Sequence, residues 1–180
     1  MRLFLAIPLT DEARHAIVHH LKSHLARPLP GRPVRPELWH LTLRFLGEVE
    51  EVDGDRIMRE VDAADRGPAF GVRWGSLGAF PRPRRANVLW LGVDQGEYEA
   101  ERLAAVVEEG VEAAGFPPED RPYRSHLTLS RLRPDQDVTA VLEAVPPLGL
   151  AMAVDRVVLY RSHLGPGGPR YEEVESFPLA

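Results

Sequence analysis

The tetrapeptide His-Leu-Thr-Leu occurs twice in the chain, at residues 40–43 and at residues 126–129. Side chains in an extended strand alternate between its two faces, so the leucines can enter a core while histidine and threonine emerge together on the other face. The two copies lie about half of the 180-residue chain apart. This spacing predicts two similar lobes, each of which contributes one histidine and one threonine to a shared cleft.

A purely structural role is the first alternative to weigh for these motifs. Leu-Thr-Leu is ordinary strand composition, and a single histidine before it is more often structural than catalytic. Strand propensity, however, does not require histidine at the first position of both copies. The repetition therefore favours a functional role for His40 and His126, with Thr42 and Thr128 beside them.

The composition limits the class of protein. The chain is 44% hydrophobic and 27% charged, which is typical of a globular protein. No apolar run approaches the roughly 20 residues of a membrane span, and we expect a cytoplasmic location. The chain has no cysteine, which excludes disulfides and thiol nucleophiles. The net charge of −5 argues against a wholly basic nucleic-acid-binding surface but leaves room for a local basic cleft.

Hydrophobic periodicity predicts the order strand, helix, motif strand, helix, strand, and this order occurs twice. No linker separates the halves as independent domains. The predicted helices lie at about 11–26, 52–65, 96–114 and 138–145, and the predicted strands at about 2–7, 39–46, 69–77, 88–93, 123–132, 150–160 and 171–174.

Two imidazoles and two hydroxyls suit acid–base chemistry on a phosphodiester. One imidazole can take a proton from the nucleophile while the other gives one to the leaving oxygen, and each is worth roughly 10²- to 10⁴-fold in rate. Histidine titrates near neutrality, and the threonine hydroxyls can donate to phosphate oxygens. Such chemistry needs no metal, and we expect no cofactor.

The first helix contains a second group of histidines, and these offer a different function. His15 and His19, and likewise His20 and His24, stand at the i, i+4 spacing that could bind zinc. They lack an acidic third ligand at an obvious helical position, and histidines on a surface helix are usually solvated. A metallohydrolase built from these histidines is a rival interpretation, but these two points count against it.

The residues around the motifs resemble a known family. WHLTLRFLG (39–47) and SHLTLSRLR (125–133) are similar to the paired His-x-Thr-x motifs of the 2H phosphoesterase superfamily. The resemblance to its RNA 2′,3′-cyclic phosphodiesterase branch, long called 2′-5′ RNA ligase, extends along almost the whole chain, from Arg2 to Glu173. The further matching segments are GAFPRPR (78–84), VLWLGV (88–93), GFPPEDRPYR (115–124) and LYRSHLGPGGPRYE (159–172).

The resemblance implies an α+β fold in one bilobal domain over residues 1–180. Two pseudo-symmetric lobes, each with an antiparallel sheet and two helices, would place the motif strands across a central cleft. The sequence repeats would span roughly 1–80 and 86–160, and a C-terminal hairpin would return to the sheet. A monomer is expected.

The resemblance also implies an activity and a set of site residues. The family opens an RNA-terminal 2′,3′-cyclic phosphate to a 2′-phosphomonoester, and reverse 2′-5′ ligation is chemically permitted; tRNA fragments are among the candidate substrates. In this chain the corresponding residues are the proton donor His40, the proton acceptor His126, the phosphate-binding Thr42 and Thr128, and the charge-stabilising Arg131.

Two arginines raise a question of strand geometry. Arg131 stands five residues after His126, so strict alternation places it on the opposite face, and a bulge, twist or strand end must turn it into the cleft. Arg44 has the correct parity relative to His40, and we include it among the predicted substrate-binding residues.

Other residues are weaker candidates. Phe45 and Tyr123 could stack on a base, although Phe45 has core parity and is expected to be buried. His163 is expected to have no catalytic role. A basic turn could guide RNA or be merely solvated; its arginines are Arg82, Arg84 and Arg85.

The sequence leaves rival functions open. A small cyclic nucleotide or a 2′-5′-linked oligonucleotide could replace the RNA end as substrate. A non-catalytic module that binds RNA ends is the alternative outside the enzyme class.

Overall fold

The computed structural model describes all 180 residues. No helix has both the length and the hydrophobicity that a membrane-spanning segment needs. The elements are strands β1 (Arg2–Pro8), β2 (Arg32–Pro33), β3 (His40–Glu48), β4 (Phe70–Arg82), β5 (Arg85–Gln95), β6 (His126–Gln136), β7 (Leu150–Val154), β8 (Arg156–His163) and β9 (Arg170–Pro178); helices α1 (Asp11–His24), α2 (Glu51–Ala63), α3 (Glu97–Ala113) and α4 (Thr139–Ala144); and a 3₁₀ turn at Pro36–Leu38.

The strands form two antiparallel sheets, which confirms the predicted α+β class. Sheet 1 has the order β3-β1-β8-β9, and sheet 2 has the order β2-β6-β5-β4-β7. In each sheet a motif strand, β3 or β6, pairs with the first strand of its own sequence repeat, β1 or β5. The two sheets therefore have the same arrangement of four strands, and sheet 2 adds the short edge strand β2.

The last strand of each sequence repeat lies in the other sheet. Strand β4 follows α2 in the chain but pairs with β5, and β8 pairs with β1. The predicted single strand at 150–160 is in fact two strands, β7 in sheet 2 and β8 in sheet 1, with Asp155 between them. The sequence repeats and the structural lobes consequently do not coincide.

Strand β2 is an element that the sequence reading missed. It lies within the proline-rich connection between α1 and β3 and pairs with β6 across the middle of the molecule. Gly31 precedes it with φ of +80°, a conformation that other residues adopt only with strain. A Cβ there would also lie 2.5 Å from the carbonyl oxygen of Arg131, so the close approach of the two backbones requires glycine.

The two sheets and the helices share one core. A single cluster of 30 buried hydrophobic residues draws on both sheets and on α1, α2 and α3. The predicted first helix is confirmed: the Thr10 hydroxyl accepts a hydrogen bond from the Ala13 amide at 3.1 Å as its N-cap, and Ala13, Ile17 and Leu21 are buried. The lobes are thus parts of one packed unit.

Candidate active site

The paired motifs lie on β3 and β6, which approach each other where the two sheets meet. Leu41 and Leu127 are fully buried, at 0% and 1% exposure, while His40 and Thr42 remain partly accessible on the other face. His126 and Thr128 are partly accessible in the same way. The alternation expected from the sequence therefore holds for the first four residues of both motifs.

His40 is held in one orientation by two hydrogen bonds. Its Nδ1 lies 2.8 Å from the carbonyl oxygen of Leu38, and its Nε2 lies 2.8 Å from the Thr42 hydroxyl. Because a carbonyl oxygen can only accept, Nδ1 carries the proton, and in the neutral ring Nε2 accepts from Thr42. The nitrogen that can exchange protons with a ligand is consequently Nε2.

His126 is anchored in the same way in the other lobe. Its Nδ1 donates to the carbonyl oxygen of Arg124 at 2.8 Å, again two residues before the histidine. This leaves Nε2 of His126 as its reactive nitrogen. The two imidazoles are thus pseudo-symmetric in backbone anchoring as well as in sequence.

The surroundings of both histidines favour the neutral ring. Burial lowers the pKa of His40 from 6.5 to about 4; the hydrogen bond to Leu38 opposes this effect, and the charges of Arg131 and His126 add to it. Burial also lowers the pKa of His126, with the positive charges of Arg131 and Arg124 acting in the same direction. Arg131 therefore lies close enough to both imidazoles to affect their pKa values. A phosphate bound between the two rings would need a cation at this place.

A β-bulge turns Arg131 into the cleft. Thr128 pairs with Trp90 but Ser130 pairs with Leu89, so Leu129 is an extra residue without a partner. Beyond the bulge the alternation is reversed: Ser130 is fully buried and Arg131 is exposed. This resolves the conflict between the position of Arg131 and strict strand parity.

Strand β3 has the same bulge, and it removes Arg44 from the site. Thr42 pairs with Ala6 and Arg44 with Leu5, which leaves Leu43 unpaired. Arg44 is only 9% exposed and faces α3 and the connection that follows it. The predicted substrate-binding role of Arg44 is therefore wrong, because parity counting assumed a regular strand.

Arg44 instead joins the two lobes. Its Nε makes a charge contact with Glu108 at 2.9 Å, without hydrogen-bond geometry, and its Nη1 pairs with Glu119 at 3.0 Å. Its Nη2 donates to the Pro117 carbonyl at 2.5 Å. Ser130, the equivalent residue of β6, donates to the Pro30 carbonyl at 2.5 Å. Arg44 on β3 thus binds the segment that leads into β6, and Ser130 on β6 binds the segment that leads toward β3. The two motif strands are tied to opposite lobes by equivalent residues.

Phe45 lies on the cleft side and not in the core. The bulge gives it the position that Arg131 has in β6, and it is 59% exposed. Its ring centroid lies 5.9 Å from that of Phe4, whose ring is 4.7 Å from His40. The expectation that Phe45 is buried is therefore wrong, and its exposed ring is linked to His40 through the ring of Phe4.

Aromatic rings support both histidines, and the sequence reading missed most of them. Tyr171 meets His40 edge-on at 5.5 Å, and Phe80 meets His126 edge-on at 5.1 Å. Alternation of β4, β8 and β9 is the sequence signal that could have placed such residues on the cleft face. These rings cover part of each imidazole and so contribute to the burial that lowers the pKa of both histidines.

The remaining predicted candidates lie outside this constellation. His20 bonds to the Pro146 carbonyl at 2.7 Å, and nowhere in the protein do three or more His, Asp or Glu side chains group as a metal site would require. His163 pairs with Glu172 at 2.6 Å on the β8–β9 hairpin. Tyr123 is half-buried, and its hydroxyl oxygen lies 3.4 Å from that of Ser125.

The basic turn between β4 and β5 is exposed, as its composition suggests. Arg85 pairs with Asp135 at 3.3 Å, and Arg84 lies near Asp137. A role in guiding RNA stays a prediction for this turn.

Two sheets of matching strand order, each presenting a histidine and a threonine to one cleft, define a bilobal protein with paired His-x-Thr-x strands. Comparison with known families agrees with this class. The model of the 2′-5′ RNA ligase superfamily matches residues 9–166, and the chain belongs to that family. The resemblance to the 2H phosphoesterases inferred from the motifs is confirmed.

Individual relatives match over nearly the whole chain. RNA 2′,3′-cyclic phosphodiesterases from Thermus thermophilus and Escherichia coli are 38% and 32% identical, over 99% of this chain and 90% and 96% of theirs. The crystal structure of E. coli LigT complexed with 3′-AMP superposes with a TM-score of 0.83 at 31% identity, covering 99% of this chain and 97% of that one. A T. thermophilus structure gives 0.79 at 34% identity, covering 99% and 98%.

Proposed function

We propose that this protein is an RNA 2′,3′-cyclic phosphodiesterase that leaves a 2′-phosphomonoester. The relatives of that name support the substrate class. The structural support is the pair of imidazoles, anchored identically through Nδ1 and both within the influence of Arg131. This arrangement offers two proton-transfer groups and one cation to a single phosphate.

The proton transfers are assigned to the Nε2 atoms of the two histidines, because both Nδ1 atoms are bonded to backbone carbonyls. His126 accepts a proton from the attacking water as its oxygen bonds to phosphorus. His40 donates a proton to O3′ as the bond between phosphorus and O3′ breaks, so the phosphate stays on O2′ and the ribose regains its 3′-hydroxyl. The same groups permit 2′-5′ ligation, in which the 5′-hydroxyl of a second RNA attacks phosphorus in place of water, the bond to O3′ breaks and a 2′-5′ phosphodiester forms.

The phosphate itself is stabilised by hydroxyls and one guanidinium. Thr42 and Thr128 donate to its non-bridging oxygens, where negative charge increases in the transition state. Arg131 supplies a planar cation with several donors to the same group. When Nε2 of His40 is protonated it no longer accepts from Thr42, and the hydroxyl is free to turn toward the phosphate.

The bound phosphate also favours the protonated form of His40, which the donor role requires. A pKa of about 4 leaves little imidazolium near neutral pH. An anion placed beside the ring favours the charged form and raises this pKa. The proton donor is therefore formed when the cyclic phosphate binds.

The exposed ring of Phe45 suits the terminal base of the substrate. Bases of single-stranded RNA are commonly bound by stacking on aromatic side chains, and Phe45 lies next to the Phe4–His40 contact. Stacking tolerates every base, so we expect a weak preference among terminal nucleotides.

The test is to incubate the protein with a short RNA that ends in a 2′,3′-cyclic phosphate, with EDTA present, and to identify the product isomer. The expected product is the 2′-phosphate, formed at an undiminished rate in EDTA. A 3′-phosphate would reverse which oxygen leaves. Loss of activity in EDTA that zinc restores would contradict the two-histidine mechanism, and binding without turnover would favour a module that only holds RNA ends.

A further inference from the structure

A second arginine stands directly beside Arg131. Arg32 on β2 is the register partner of Arg131 on β6. Residues directly opposite each other on antiparallel strands point to the same face, with Cβ atoms roughly 5 Å apart. Arg32 therefore adds a second positive charge next to Arg131, on the neighbouring strand.

The chain segment around Arg32 is held firmly in place. The Pro30 carbonyl accepts from the Ser130 hydroxyl at 2.5 Å, and the Val34 amide donates to the Leu129 carbonyl at 2.8 Å. Gly31 permits a backbone approach to β6 that no other residue would allow. The backbone that bears Arg32 is thus fixed against the motif strand before any ligand binds.

The pair of arginines lacks a balancing acid. Like charges directly opposite on two strands repel and destabilise the sheet. Arg32 and Arg131 are both exposed, and neither forms an ion pair. An anion bound by Arg32 would relieve the repulsion.

The substrate proposed above has a second anion at a matching place. The terminal nucleotide of an RNA carries its cyclic phosphate at one end of the ribose and a 5′-phosphodiester at the other. With the cyclic phosphate beside Arg131, the 5′-phosphate is the next negative charge along the RNA, and Arg32 is an unpaired cation on the strand next to Arg131.

We propose that Arg32 forms a second phosphate subsite that binds the 5′-phosphodiester of the terminal nucleotide and so selects RNA ends over free cyclic nucleotides. The inference rests on the proposed function. Arg32 in this role contacts the substrate away from the reacting atoms. Its effect must therefore depend on whether the substrate has a 5′-phosphate.

Three substrates isolate this contact: adenosine 2′,3′-cyclic phosphate, the same nucleotide with a 5′-phosphate, and the dinucleotide ApA ending in a 2′,3′-cyclic phosphate. The unsubstituted enzyme should prefer the last two. Arg32→Gln should lower kcat/KM about tenfold for these two, the size of one charge-assisted contact, and leave the first unchanged. Arg32→Lys should recover most of the loss, because it restores the charge.

The salt dependence gives a second readout that a structural defect would not change. Each phosphate contact on a single strand contributes roughly −0.7 to the slope of log affinity against log salt. Arg32→Gln should therefore flatten the slope of log kcat/KM for ApA by about this amount. Arg59→Gln is the matched control, because Arg59 is an exposed arginine without an ion pair on α2 and should change neither readout.

Other outcomes would overturn the subsite. An equal loss on all three substrates would place Arg32 at the reacting phosphate or in the structure, and no loss on any would leave it without a role. Equal use of the three substrates by the unsubstituted enzyme would show that the 5′-phosphate is not recognised. If that enzyme opened none of them, the proposed function itself would fail, and the subsite with it.

Discussion

At the scale of single residues, the site depends on how each imidazole is oriented. Both histidines donate from Nδ1 to a backbone carbonyl two residues earlier, which leaves Nε2 for proton transfer. Only two imidazoles in the protein have this anchoring and lie on the cleft. Their removal should affect the chemical step far more than the fold or the binding of ligand.

We predict that His40→Ala and His126→Ala each lower kcat by at least about 100-fold on an RNA ending in a cyclic phosphate, because each removes one proton-transfer group. Steady-state kinetics measure this effect, and binding of a 2′-phosphate-terminated RNA should change little. His15→Ala, on the exposed face of α1, is the control. A variant of either motif histidine with normal kcat would refute the assignment.

The pH dependence should reveal the lowered pKa values. In the proposed mechanism the free enzyme reacts when His40 is protonated and His126 is neutral, and this combination is most populated between the two pKa values. Since that of His40 is about 4 and that of His126 lies below 6.5, kcat/KM should form a bell with its optimum in mildly acidic solution. Bound phosphate raises both pKa values, so the optimum of kcat should lie at higher pH. A kcat/KM that is maximal only above pH 7 would contradict this account.

At the scale of elements, the bulge in each motif strand separates what the sequence predicts from what it does not. Periodicity and the repeated tetrapeptide located the main helices, the motif strands and the pairs His40/Thr42 and His126/Thr128. Period-two counting failed beyond Leu43 and Leu129, because an extra residue reverses the alternation. Because of this extra residue, Arg44 lies on the buried face and Phe45 on the exposed face, the opposite of the prediction. No local residue pattern indicates the bulge.

Strand β2 and the crossing of β4 and β8 were also beyond sequence reasoning. A two-residue strand in a proline-rich segment has no periodicity, and its pairing with β6 depends on the packing of the two sheets. The choice of partner sheet for β4 and β8 is likewise a long-range property. Local propensity decides that a segment is extended but not which edge it joins.

The interlobe position of Arg44 leads to a prediction about stability. Arg44→Met removes a buried cation and leaves Glu108 and Glu119 without their partner, which should cost about 2 to 3 kcal/mol of unfolding free energy. Urea denaturation measures this, while the folded variant should keep nearly normal KM because Arg44 does not face the cleft. Arg73→Met, which breaks an exposed pair with Asp94, should have little effect. A raised KM with unchanged stability would restore Arg44 to the substrate site.

At the scale of the whole molecule, the crossed strands and the shared core make the lobes one cooperative unit. Sheet 1 needs both the first and the last segments of the chain, and sheet 2 is formed by the middle together with β2. The cleft between the sheets is consequently framed by elements that are distant in sequence. The histidines it holds are desolvated by the assembled fold, and their protonation is therefore linked to global unfolding.

This linkage predicts acid sensitivity of the fold. In the unfolded chain His40 titrates near its ordinary pKa of 6.5, whereas burial in the folded protein lowers it to about 4. Between these values the unfolded state binds more protons, so the free energy of unfolding must rise with pH and fall as the solution is acidified through this window. The contribution of His40 between pH 7 and pH 5 is about 2 kcal/mol.

Urea denaturation of the protein and of His40→Gln at pH 7 and pH 5 measures that contribution directly. Glutamine does not titrate, so the variant should lose about 2 kcal/mol less than the unsubstituted protein over this interval. Buried carboxylates affect both proteins equally and cancel in the comparison. His15→Gln, at an exposed position on α1, should follow the unsubstituted protein. If the two pH dependences of the protein and of His40→Gln were parallel, His40 would not be desolvated in the folded state, and the anion-induced formation of the proton donor would lose its physical basis.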